Sequence, residues 1–239
     1  VGVSDDFSRL YMPVREGGAA RLNSLFEFSV EHGFEQTALA RGTSDTIDWF
    51  VDDSGQPLAR VDFDEDDDLF TIFAYRNGEP EVLYQEQTAN PQIRVRALTP
   101  KQDGLIYMAH SQESEEMTLH VLSLVDGSHS APIFSFGNGG VSVDSGRRAT
   151  AFWKGGSVLD EYEFPNPVAE QFFGAILKAM PGERIRLVSF TDDFSHIVVR
   201  LTRKWGESYY LLFSRTAQEP VLIAKEETGA ATDDIRFDY

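Results

Sequence analysis

The chain has 239 residues, 39 of them acidic and 21 basic, for a formal charge of −18. A surface this acidic repels phosphate backbones and anionic bilayers, so nucleic acid and membrane are excluded as expected partners. The absence of cysteine removes disulfides, thiolate metal sites and cysteine nucleophiles together, and no apolar run approaches the length that spans a bilayer.

The chain opens on a strand, Val1-Gly2-Val3, in mid-repeat, and it is expected to be a piece cut from a longer protein. A second strand, Leu10-Tyr11-Met12, leads through a glycine-rich turn at Gly17-Gly18. Residues Ser24 to Val30 then alternate apolar and polar with period two, the mark of a half-buried strand. A turn at Glu31-His32-Gly33-Phe34 precedes a strand from Gln36 to Ala40. The second unit holds strands at 58–63, 69–75 and 80–84, and its Asn77-Gly78 pair predicts a tight hairpin because both residues accept positive φ. The third contains Leu119 to Leu124 with a turn at Asp126-Gly127. The fourth begins near Gly140 and is interrupted by a helix over about 167–180. Asn166 is placed to cap it, Pro167 suits the first helical position, and Pro181-Gly182 ends it. Its apolar face is expected at Val168, Phe172, Ala175, Ile176 and Ala179. The last unit carries strands at 184–188, 197–201, 209–213 and 221–224, and residues 226–239 read as a polar tail or linker.

One short phrase returns five times through these elements: a turn rich in Asp, Ser and Gly followed at once by an alternating strand. Counted from Asp5, Asp53, Asp103, Asp144 and Asp192, the steps are 48, 50, 41 and 48 residues. Strand-built repeats of this period predict an all-β fold, a β-propeller of about five four-stranded blades with one inserted helix, expected to be part of a larger ring. The expected units are 1–45, 46–90, 91–137, 138–183 and 184–225.

The sequence assigns no catalytic, cofactor-binding or metal-ligating residue. The nearest approach to a serine-hydrolase elbow, Gly140-Val141-Ser142-Val143-Asp144, has Asp where the second glycine must permit a strained strand-to-helix turn, so Ser142 is expected on a plain strand. Walker, dinucleotide and paired-histidine metal patterns are missing. His32, His110, His120, His129 and His196 are dispersed and read as structural. The acidic run Asp62, Asp64, Glu65, Asp66, Asp67 and Asp68 lacks the glycine-turn spacing of a calcium loop and is expected to be solvated. Trp49, Trp153, Trp205 and Tyr210 are expected to pack between blades rather than line a groove. Arg147 and Arg148 are expected to pair with nearby acids rather than hold a ligand carboxylate.

Several strings carry a resemblance. Asn23-Ser24-Leu25-Phe26-Glu27-Phe28, Thr37-Ala38-Leu39-Ala40-Arg41-Gly42, Trp49-Phe50-Val51-Asp52 and Gly55-Gln56-Pro57-Leu58-Ala59-Arg60-Val61-Asp62 resemble the propeller of prolyl-oligopeptidase-type (S9) serine peptidases, in their bacterial dipeptidyl-aminopeptidase and acylaminoacyl-peptidase branch. Phe164-Pro165-Asn166-Pro167 with the helix after it, Met180-Pro181-Gly182, Val188-Ser189-Phe190, Asp193 and Tyr209-Tyr210-Leu211 are similar to the segment that ends that propeller. The resemblance implies a non-catalytic domain that gates access of short peptides to an α/β-hydrolase domain of the parent chain, a domain this sequence does not contain. No catalytic residue transfers to any position here, and the family propeller usually has seven or more blades. The acidic run also departs from the family pattern at that turn. The alternatives are a free-standing propeller that binds a protein or peptide, and a carbohydrate-active propeller, which needs two opposed carboxylates. A ring with too few blades to close exposes edges, and a homo-oligomer is then expected.

Overall fold

The computed structural model describes residues 2–4, 6–17, 21–111, 114, 116–156, 160–203, 207–217 and 219–226. The chain divides into two compact units, Val1–Lys154 and Gly155–Tyr239.

The first unit contains three four-stranded antiparallel sheets, each a meander in chain order. Sheet one is β1 (Gly2–Val3), β2 (Arg9–Arg15), β3 (Asn23–Ser29) and β4 (Glu35–Ala40). Sheet two is β5 (Thr46–Val51), β6 (Pro57–Asp64), β7 (Leu69–Arg76) and β8 (Glu79–Gln87). Sheet three is β9 (Ile93–Leu98), β10 (Gly104–His110), β11 (Met117–Ser123) and β12 (Phe134–Phe136). A hairpin, β13 (Gly139–Val143) with β14 (Ala149–Lys154), follows.

Period-two alternation places these sheets face to face. From β6, β7 and β10, Ala59, Val61, Ile72, Leu105 and Tyr107 share one cluster with Phe50, Ile93 and Leu122, the core between sheets two and three. The opposite face of β10 turns Ile106 toward Ala97, Leu119, Phe136 and Ala149, the core between sheet three and the hairpin. Tyr11, Leu25, Trp49 and Val51 fill the space between sheets one and two. Burying a side chain of this size is worth roughly 1.5–3 kcal/mol, so each interface is held by several such contributions. A central strand that is buried on both faces, as β6 is over Ala59, Arg60, Val61 and Asp62, is the signature of a blade between two blades. The fold is therefore of the β-propeller class, nearly all β with one helix among the described residues.

The repeated phrase has one hydrogen-bonded geometry. The N–H of the fourth residue donates to the carbonyl of the first in all five copies: Phe7 to Ser4 (2.9 Å), Gly55 to Asp52 (2.9 Å), Gln102 to Thr99 (3.0 Å), Arg147 to Asp144 (3.1 Å) and Phe194 to Thr191 (2.7 Å). That fourth residue has positive φ each time, between 53° and 84°. The first or third residue supplies an oxygen that receives the N–H groups left over: Asp52 Oδ1 accepts from Ser54 and Gln56, Asp144 Oδ1 from Gly146 and Arg148, and Thr99 Oγ1 from Asp103 and Gly104. Short polar side chains mimic backbone in this way, which is why Asp, Ser and Thr recur while the strand sequences drift.

The second unit holds β15 (Glu161–Glu163), α1 (Pro167–Ala179) and a four-stranded meander of β16 (Arg184–Phe190), β17 (His196–Thr202), β18 (Ser208–Ser214) and β19 (Val221–Glu226). Asn166 caps the helix by accepting the Val168 N–H at 2.9 Å. The buried face of α1 is Ala169, Phe173 and Ile176, not the expected stripe. Only Ile176 is common to both, and Val168 is 42% exposed. The reason is aromatic packing: Phe173 lies 4.9 Å from the Tyr162 ring and 5.4 Å from that of Phe164, which in turn meets Phe194 of the repeated turn edge-on. Glu226 is the last residue of β19, and 227–239, most of the expected tail, lie outside the described residues, as does Trp205.

Candidate functional site

In the first unit the turns after the first strand of each sheet are tied together. Asp53 accepts from Gln102 Nε2 at 2.7 Å and from Arg148 Nη1 at 2.8 Å, so three turns meet on one carboxylate. Arg148 is also held within its own turn by Asp144, Nε to Oδ2 at 2.6 Å. Arg147 reaches into sheet two, where its guanidinium clasps Asp48 at 2.7 and 2.9 Å and donates to the Trp49 carbonyl at 3.1 Å. The same group lies 4.0 Å over the Phe50 ring. Backbone bonds complete the assembly: Val3 N–H to the Ser145 carbonyl at 3.1 Å and Leu98 N–H to the Arg147 carbonyl at 2.9 Å. A bidentate guanidinium–carboxylate pair fixes orientation as well as distance, so this knot sets how the inner strands stand. Both arginines pair with acids of the chain, as expected from sequence.

Two clefts flank the knot. One, of about 300 Å³, is lined by Ser4, Asp6, Arg9, Tyr11 and Asp53. Its Asp6 accepts from the Ser4 and Ser8 hydroxyls and the Ser8 N–H, and those bonds hold its carboxyl down at about 2. The other, of about 250 Å³, lies between the starts of β5 and β9, with Val61, Phe70, Ile93 and Val95 as apolar wall and Asp48, Asn90 and Arg94 as polar groups.

The remaining residues singled out in the sequence fall into structural places. Ser142 sits on β13 opposite Ala151, and its carbonyl accepts the Thr150 hydroxyl at 3.0 Å. A strand follows it, so the geometry of a nucleophile elbow is not made. His32 and His196 each meet a neighbouring serine, at 2.8 and 2.9 Å. His120 stacks on Tyr107, and His129 hydrogen-bonds the Tyr107 hydroxyl at 2.8 Å while meeting Tyr84 edge-on. Burial, reinforced by Glu86, pushes the Tyr84 hydroxyl up to about 12; burial also raises Tyr107. Asp62 departs from the rest of the acidic run: it is buried in β6 against Arg60 at 2.9 Å and takes the Thr46 hydroxyl at 2.8 Å. Asp64 closes the loop by accepting the N–H groups of Asp66 and Asp67. Among the described residues no three His, Asp or Glu side chains are grouped to hold a metal ion. Trp49 is fully buried and donates to the Asn23 carbonyl at 3.1 Å, and Tyr210 donates to Glu226.

The Arg147–Asp48 clasp spans 99 residues. Its acid has no sequence signature beyond being one of 39, and nothing local marks it.

No family model matches the chain, and no curated protein matches it. Solved structures do. TolB from Acinetobacter baumannii aligns at 13% identity over 89% of this chain and 50% of its own, with a TM-score of 0.42. A chain of a nidogen/laminin complex aligns at 14% over 91% of this chain and 75% of its own, TM-score 0.38. The WD40 domain of SCAP from fission yeast aligns at 11% over 94% and 41%, TM-score 0.29. The chain thus spans half the length of TolB. These are β-propeller-type proteins, and none is a prolyl-oligopeptidase-type peptidase. At such TM-scores the propeller class is carried by this chain's own sheets and turns.

Proposed function

We propose that this chain is the non-catalytic propeller of a prolyl-oligopeptidase-like serine peptidase, gating the access of short peptides to a hydrolase domain carried elsewhere in the parent protein. The observation that carries the reading is that the strings resembling that propeller are the ones that build the blades here. Leu25 and Trp49 form the core between sheets one and two, Gly55 occupies the positive-φ position of a repeated turn, and Asn166 caps the helix. A gate needs stiff walls and a narrow opening rather than a nucleophile, and the knot on Asp53 and Asp48 supplies stiffness where the inner strands begin.

Under this reading the parent reading frame continues past Tyr239 into a Gly-x-Ser-x-Gly elbow, and the isolated chain leaves aminoacyl-nitroanilides intact. A stop codon at that point, or nitroanilide turnover by this chain, defeats it. Self-association belongs to the same proposal. Val221, Leu222 and Ile223 are exposed on β19, the edge strand of its sheet, and a monodisperse monomer in sedimentation counts against pairing through that edge.

A further inference from the structure

Two copies of the repeated turn carry nearly the same residues, Ser4-Asp5-Asp6-Phe7-Ser8 and Thr191-Asp192-Asp193-Phe194-Ser195. Their hydrogen bonds match one for one. The first hydroxyl donates to the third residue's carboxylate at 2.7 Å in both. The fifth N–H donates to that same oxygen at 3.0 and 2.9 Å, and the sixth N–H returns to the first hydroxyl at 3.0 Å in both. The phenylalanine is left-handed in each, at φ +58° and +53°. Phe194 is nevertheless 2% exposed and Phe7 64%. Chemistry within the turn is common to both copies, so the difference comes from what packs on the ring.

The cover on Phe194 is aromatic. Phe190 stacks on it at 4.9 Å, and Phe164, just past β15, meets it edge-on at 6.3 Å. Phe164 lies 30 residues before Phe194, and the same offset from Phe7 falls ahead of Val1. The other three copies also turn their fourth residue toward an earlier sheet. Gly55 presses on Tyr11 of sheet one, Gln102 bonds Asp53 of sheet two, and Arg147 clasps Asp48 of sheet two. Phe7 is the exception, and it has company. At the same end of sheet one, where the Val30 N–H donates to the Ser8 carbonyl at 2.9 Å, Phe34 is 58% exposed and Val30 40%. Phe34 is left-handed too, at φ +63°. A bulky side chain is disfavoured in that conformation, and an exposed turn gives it nothing in return. We infer that Phe7 is a docking knob for a preceding blade of the parent chain, which presents an aromatic or large aliphatic residue over it as Phe164 covers Phe194. Phe34 and Val30 form the apolar margin of that contact. The inference rests on the propeller repeat alone, and it has the same content whether or not a hydrolase domain follows in the parent chain.

The absence of cysteine makes the test direct. Phe7→Cys and Phe194→Cys are made in this chain, and Phe7→Cys also in a chain extended upstream in the parent reading frame by one repeat, about 50 residues. The rate of reaction with a thiol reagent is then measured. In the unextended chain Phe194→Cys should react about tenfold or more slowly than Phe7→Cys. The upstream repeat should slow Phe7→Cys by about tenfold or more. Phe7→Ser should lower the melting temperature of the extended chain by about 5 °C or more and that of the unextended chain by about 1 °C or less. An unchanged Phe7→Cys rate in the extended chain, or an extended chain indifferent to Phe7→Ser, overturns the inference. A parent reading frame that starts too close to Val1 to supply a repeat does the same. Slowing of Phe7→Cys with protein concentration in the unextended chain makes a second copy the occupant and also overturns it. Should Phe194→Cys fail to fold, Phe7→Cys with and without the upstream repeat decides the matter.

Discussion

Gly55 offers a way to measure how tightly the repeated turn is pressed against the neighbouring sheet. Its φ is +84°, and a Cβ built there would lie 2.3 Å from Tyr11 Cε1 and 2.6 Å from Cζ. Tyr11 is 1% exposed and packed with Leu25 and Trp49, so its ring can yield only by giving up that packing. Gly78 has the same φ, +84°, and nothing within 4 Å of its would-be Cβ. The two substitutions to alanine therefore share a conformational cost, about 1–2 kcal/mol for an L-residue in the left-handed region, and differ in sterics alone. Overpacking a closed site adds about 1–3 kcal/mol. Gly55→Ala should thus cost about 2–5 kcal/mol and Gly78→Ala about 1–2. Urea titrations read by far-UV circular dichroism supply both values by linear extrapolation. Tyr11→Ala on its own removes the obstructing ring, and in a double-mutant cycle with Gly55→Ala the two should couple by 1 kcal/mol or more, on the order expected for residues in contact. Equal costs at positions 55 and 78, or strict additivity with Tyr11→Ala, would refute the steric reasoning.

Three further outcomes are expected. Asp48→Asn should cost about 1 kcal/mol, the upper end for a pair whose side chains are 22% and 29% exposed, because the clasp is bidentate; urea titrations should show the difference from wild type shrinking in 1 M salt. Ile176→Ala should destabilise by about 2–4 kcal/mol while Val168→Ala stays within about 0.5, and thermal melts giving the reverse order would restore the helix face expected from sequence. Asp193 has its carboxyl lowered from 3.8 to about 2 by the Ser195 N–H and the Thr191 and Ser195 hydroxyls. Its folded value is depressed, so its contribution is present above pH 3.8 and is lost as pH falls through about 2. Asp193→Asn should melt earlier than wild type at pH 7 and converge with it near pH 2; a gap that persists at pH 2 rejects the assignment.

Local chemistry made much of the fold legible. The five turns could be found because their hydrogen bonds run between residues at most five apart, so the donors, acceptors and positive-φ positions all lie inside one short string. The Asn166 cap and Pro167 start were readable for the same reason. The helix face was not: Val168 and Phe172 are as apolar as Ala169 and Phe173, and the period of the helix admits either stripe. Phe164 and Tyr162 chose between them by ring packing.

The candidate site shows the same division more sharply. The sequence by itself determined that Arg147 and Arg148 would seek carboxylates, because acids outnumber bases 39 to 21 in this chain. It also determined a blade repeat, because turn chemistry and strand alternation are short-range and periodic. Only the tertiary structure decided that Asp48 and Asp53, 99 and 95 residues away, would be the partners. Coulombic attraction falls with distance in space and carries no record of distance along the chain, so the choice of partner waits until the stacked sheets bring the turns together.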